Sequence, residues 1–180
     1  MPKRSHQLPA EQLHETFLKA LDGQVLDHSP IPEKPLEVDL ASPLPPHVRA
    51  YLFNATHPPG GRTMGEHKVQ LMLPGQQRGE RANFDHSGGR IVLLVGYESE
   101  MSVFVLWDAG LYRNFPFSRN VQVRAETIYE AYAKGLALQE RRLWGHAREV
   151  LIAAFAPRLS QAIQMRVGLS LTRLLGEAHV

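Results

Sequence analysis

Glu66-His67-Lys68, at the head of an apolar segment, is the sharpest chemical spacing in the chain. An acid two residues before a lysine on a strand is half of a metal-dependent nuclease site, in which two carboxylates hold Mg²⁺ and the lysine orients or activates water beside a phosphate. The second carboxylate should lie upstream. The nearest candidate, Asp39, falls within a proline-rich stretch, a poor seat for a rigid ligand. Such a triplet also arises by chance in most chains of this length. If the chain is a nuclease, Glu66 and Lys68 are its catalytic residues and Mg²⁺ its cofactor; otherwise no cofactor is expected. The nine histidines are dispersed and none forms a His-x-x-x-His pair, so no metal site is expected from them. Ser118 lacks a Gly-x-Ser-x-Gly setting, and no hydrolase triad is visible.

A second constellation has the chemistry of binding. The stretch LWDAGLYRNFPFSRNVQVR joins Trp107 and Asp108 to Tyr112, Phe115 and Phe117, and then to Ser118, Arg119, Asn120 and Gln122. Aromatic faces stack on an unpaired or extruded base, a carboxylate accepts from an exocyclic amine, Asn and Gln read base edges, and arginine holds phosphate. Base reading then falls to Trp107, Asp108, Phe117, Ser118, Asn120 and Gln122. Phosphate contact falls to Arg62, Lys68, Arg78, Arg81, Arg90, Arg113 and Arg119. Between Leu111 and Arg124 the charged residues are all arginines. HPPGGR and DHSGGR each place a glycine pair before an arginine, a pattern that can turn backbone N–H groups toward an anion, although tight turns between strands are the simpler reading. The structural alternative is equally open: Trp107, Phe115 and Phe117 close the end of a sheet, Asp108 caps the following turn, and the arginines pair with Glu66, Glu80 and Asp85.

These residues need elements to position them. LPAEQLHETFLKALDG spaces Leu13, Phe17 and Leu21 by four between Pro9 and Gly23, which predicts an amphipathic helix. The prolines at 30, 32, 35, 43, 45 and 46 then forbid a helix and predict an extended linker on the surface. From VRAYLFN onward the period changes to two, and HKVQLML, RIVLLVGY, MSVFVLW and RNVQVR read as strands bounded by turn residues. RIVLLVGY and MSVFVLW, nearly continuous in apolar residues, predict a buried central hairpin. A helix is predicted near 127–143, opened by a Thr127/Glu130 capping box and showing Ile128, Tyr132 and Leu136 on one face. EVLIAAF reads as another strand and 157–167 as a last helix. The fold class is therefore α+β, a curved, mostly antiparallel, barrel-like sheet flanked by helices. Residues 1–46 form an N-terminal helix and linker, 47–167 a β-rich DNA-binding domain, and 168–180 an unassigned tail.

Composition bounds the rest. The 180 residues, 43% hydrophobic and 21% charged, suit one soluble domain, and no apolar run is long enough to span a bilayer. The N-terminus lacks the apolar core of a secretory signal, so cytoplasm is the expected compartment. No cysteine is present, which excludes disulfides, thiolate metal sites and cysteine nucleophiles. A net charge of +2 is only mildly basic, and the distribution of arginines says more than their sum.

The ordered set FNATHPPGGR, EHKVQL, PGQ, LLVGY, VFVLWD, FSRNVQV, GLALQER and EVLIAAFAPRL, from about Pro43 to Arg166, resembles a domain of bacterial restriction systems. It is similar to domains associated with modification-dependent restriction endonucleases of the MspJI and AspBHI type. The resemblance implies recognition of double-stranded DNA, by an SRA-like fold that inspects cytosine methylation, beside a separate nuclease or methyltransferase. Unlike the larger members, this chain carries no recognisable nuclease domain, which favours a reader over an endonuclease. A protein-interaction subunit of a restriction complex is the remaining alternative. Target sequence, dependence on methylation and oligomeric state are not legible.

Overall fold

The computed structural model describes residues 6–57, 65–145 and 147–178. In chain order the elements are helix α1 (Ala10–Ala20), strands β1 (Val25–His28), β2 (Leu36–Leu40), β3 (His47–Asn54), β4 (Glu66–Leu71), β5 (Arg81–Ala82), β6 (Ile91–Glu98), β7 (Val103–Trp107), β8 (Phe115–Pro116) and β9 (Arg119–Arg124), helix α2 (Ala125–Lys134), strands β10 (Leu136–Arg142) and β11 (Arg148–Phe155), and helix α3 (Leu159–Ala178). Seven strands form one sheet in the order β1-β2-β3-β6-β7-β11-β10, while β4 with β9 and β5 with β8 form separate ribbons. Every neighbouring pair is antiparallel except β3 and β6. The α+β class and the mostly antiparallel sheet are as the sequence predicts. The sheet is open, however, with β1 and β10 at its edges, and is not closed into a barrel.

Parallel neighbours cannot be joined by a tight turn, so the chain must leave the sheet between β3 and β6. That excursion carries β4 and β5. The excursion from β7 to α2 carries β8 and β9, and the two excursions pair with each other on one face of the sheet. Alternation along the central strands supplies both faces. Leu93, Val95, Phe104 and Leu106 pack with α1 and α3, while Leu94, Val103, Val105 and Trp107 pack with the ribbons and α2. The result is three layers: helices, sheet, and ribbons with α2.

Three sequence expectations are corrected. The proline-rich stretch is not a surface linker, because Leu36, Val38 and Leu40 are buried in β2 and pair it to β1 and β3. Its alternating apolar positions outweigh the prolines, which fall outside the strands. The helix from 127 to 143 ends at Lys134: Gly135, at φ +95, donates its N–H to Ala131 and turns LALQERR into β10. Tyr132 is accordingly exposed, and Thr127 does not cap the helix but donates its hydroxyl to Gln139 Oε1 at 2.7 Å. The tail belongs to α3, which continues unbroken to Ala178.

Candidate nucleic-acid interface

The β4–β9 ribbon carries five of the candidate residues: Glu66, Lys68, Arg119, Asn120 and Gln122. Its inner positions, His67 and Val69 on β4 and Val121 and Val123 on β9, are buried. Its outer positions pair across the strands as Glu66 with Arg124, Lys68 with Gln122, and Gln70 with Asn120. Two donors clamp the carbonyl of Gln122: the Trp107 indole N–H at 3.1 Å and Arg141 Nη1 at 2.7 Å. Gly96 on β6 makes room for this packing, since a Cβ there would lie 2.9 Å from both the Trp107 ring and Val69 Cγ1.

At the Leu71/Arg119 end of the ribbon the chain turns through Ser118, whose φ is +63 and whose N–H donates to Leu71. Arg78, Glu80, Arg81, Phe117 and Ser118 surround an open cavity of about 510 Å³ there, two cations to one acid. Arg81 is steadied by a 2.6 Å hydrogen bond from Nη1 to the Asn114 carbonyl. Arg119 lies beside them, its guanidinium 5.1 Å from the centre of the Tyr112 ring. Arg113 is exposed and donates to the Gly110 carbonyl. The structure thus gathers Arg78, Arg81, Phe117 and Ser118, and puts Lys68, Asn120 and Gln122 on the adjoining ribbon face.

Other candidates stand elsewhere. Trp107 is fully buried and Asp108 is 3% exposed. A base cannot stack on an indole enclosed by core side chains, so in this fold Trp107 braces the ribbon. Asp108 accepts from Gly110 N–H and from Arg173 Nε at 2.6 Å, with Arg166 Nη2 3.7 Å away. It therefore caps the turn and latches α3 to the end of β7. Glu149, also buried, accepts from the Tyr112 hydroxyl at 2.6 Å and pairs with Arg141 at 3.2 Å. Burial pushes the Glu149 carboxyl up, with Tyr112 and Arg141 opposing it, and burial pushes the Tyr112 phenol far above its ordinary range. Arg90 is occupied by Glu37 and Asp39, at 3.3 and 3.0 Å. The DHSGGR loop before it wraps Arg49, which donates to the carbonyls of Asp85 and Ser87. Arg62 and most of HPPGGR lie outside the described residues.

Glu66 and Lys68 do share the outer face of β4. Asp39, the proposed second carboxylate, is on β2, where His47 and Arg90 hold its carboxyl below the usual range. Among the described residues no group of three or more His, Asp or Glu side chains is placed to hold a metal ion. His67, between Glu66 and Lys68, points inward. Its ring lies 3.7 Å from that of His57, among the described residues neither of its nitrogens has a hydrogen-bond partner, and burial, then the neighbouring His57, lowers its pKa to about 4.

Gln70, Arg124 and Arg141 were missed from the sequence. Period-two alternation would have put Gln70 beside Lys68 and Arg124 beside Gln122. Nothing local could have revealed Arg141, which reaches the ribbon from β10. Residues 46–163 match the family model described as Methylase-associated X1. No curated protein and no solved structure matches the chain.

Proposed function

We propose, on the premise that this chain belongs to the methylase-associated X1 family, that it is a duplex-DNA-binding module of a bacterial restriction-modification system. In this role it works beside a separate methyltransferase or nuclease. The observation that carries this reading is the gathering of Arg78 and Arg81 with Phe117 and Ser118 about one open cavity, next to Arg119. Guanidinium groups hold phosphate oxygens through charge-assisted hydrogen bonds. The partly buried Phe117 ring stands beside them, the residue type that a reader of modified cytosine would stack on a base. Lys68 and Arg113 extend the phosphate-binding set, with Arg62 assigned to it from the sequence alone, while Arg90 is engaged by Glu37 and Asp39.

The test is titration of the protein against matched methylated and unmethylated duplexes over a range of salt, with strand breaks read in parallel in Mg²⁺ and in EDTA. Affinity should fall steeply with salt, and Arg78→Ala and Arg81→Ala should each reduce the log–log slope by about 1. Absent or salt-independent binding would sink the proposal. Mg²⁺-dependent breaks abolished by Lys68→Ala would make the chain a nuclease instead.

One observation favours a second reading, a subunit that docks a methylase. Leu171, Leu174 and Leu175 are exposed on the last turns of α3, beside a cavity of about 600 Å³ between that helix and the end of β7. Apolar helix faces of this kind are buried by partner proteins.

A further inference from the structure

The outer face of the β4–β9 ribbon is unusual in its chemistry. Gln70, Asn120 and Gln122 are exposed side by side, flanked by Lys68 and Arg124, with Glu66 as the sole acid of the face. Among the described residues none of the three amide side chains makes a hydrogen bond within the protein. We infer that this ribbon enters the major groove of duplex DNA and reads purine edges there, Gln70, Asn120 and Gln122 addressing adenine and Lys68 and Arg124 addressing guanine or the adjoining phosphates. The inference rests on the DNA-binding reading above and gives it a reading head.

Shape, spacing and charge all suit that occupant. A two-stranded ribbon fits the major groove, which is about 12 Å wide and displays a distinct donor and acceptor pattern for every base pair. Successive outward residues on a strand are about 6.8 Å apart, twice the rise of about 3.4 Å per base pair. The three outward cross-strand pairs can therefore keep step with alternate base pairs. An Asn or Gln amide both accepts from adenine N6 and donates to N7, while Lys or Arg donates to guanine O6 and N7. The ribbon is also braced against bending, because Trp107 and Arg141 hold the Gln122 carbonyl from beneath. Cations stand at both ends, Arg78, Arg81 and Arg119 at one and Arg124 at the other, where the groove walls bring phosphates. The minor groove would not use these amides, since it presents only a degenerate code.

The test is selection of the full chain against a randomised duplex library, followed by affinities for the enriched sequence and for a scrambled duplex. The wild type should enrich a purine-containing motif of about four to six base pairs. In Gln70→Ala/Asn120→Ala/Gln122→Ala the preference for that motif should fall by about 5- to 150-fold per lost bidentate contact. Replacing its purines by 7-deazapurines should cause a like loss for the wild type. A second variant, Gln122→Glu, should move the preferred base at one position from adenine toward cytosine, a change that misfolding cannot mimic. Unchanged preference in the triple variant or with 7-deazapurines, or salt-dependent binding without any enrichment, would overturn the groove-reading ribbon while leaving DNA binding intact. No binding of any duplex at low salt would overturn both.

Discussion

His67 holds its imidazole in the core with neither nitrogen hydrogen-bonded among the described residues, a setting that favours the neutral ring. Because its pKa falls to about 4 on folding, the unfolded chain binds more protons than the folded one between that value and the ordinary 6.5. Stability should therefore be fully present above about pH 6.5 and be lost as pH falls toward 4, by up to about 3 kcal/mol from this residue. Urea denaturation of wild type and His67→Leu at pH 7.5 and 5 would check it, the variant losing less stability over that interval. The imidazole drew notice in the sequence only as one of nine scattered histidines, although alternation with Val69 and Leu71 marks its side of β4 as the inward one. Asp108 was harder still: its partner Arg173 lies 65 residues away, so an aspartate that latches a helix looks, in sequence, like one that reads a base. Asn120 and Gln122, by contrast, were legible, because alternation with Val121 and Val123 puts them outward without help from distant residues.

At the scale of elements, alternation was the reliable signal and composition the misleading one. The central hairpin, β3, β4, β9 and β11 were all legible as apolar runs between turns. The proline-rich stretch hid β1 and β2 because its prolines drew more weight than Leu36, Val38 and Leu40. A helical spacing of Ile128, Tyr132 and Leu136 overran Gly135, whose left-handed φ ends the helix. The ribbon itself could not be read locally, because β4 and β9 are brought together across the sheet. Gly96 records that long-range fit. Gly96→Ala would put a methyl against Trp107 and Val69, neither of which can leave the core, and should cost about 1–3 kcal/mol by overpacking. Comparison of urea midpoints with an exposed control, Ala133→Gly in α2, would separate this clash from ordinary propensity; little change at 96 would mean that the ribbon is loosely seated.

For the whole molecule, the layering divides labour. The helix-covered face of the sheet is closed by α1 and α3, whereas the opposite face carries the ribbons, the basic cavity and the polar ladder. Apart from the ribbon side, the conspicuous surface is the leucine strip at the end of α3. Leu171→Gln/Leu174→Gln/Leu175→Gln should leave stability within about 0.5 kcal/mol, since exposed substitutions remove little buried area. If the strip docks a methylase, the same variant should abolish co-purification with it without changing the salt slope of DNA binding. Equal recovery of the complex would count against the docking reading.

The chain has two tryptophans, one sealed beneath β9 and the other, Trp144, fully exposed at the β10–β11 turn. Replacing the exposed one by phenylalanine leaves a single emitter whose N–H is bonded to the carbonyl of Gln122. Its colour and quenching then report how tightly the ribbon lies on the sheet, so the protein carries an optical gauge at the base of the surface proposed to meet DNA.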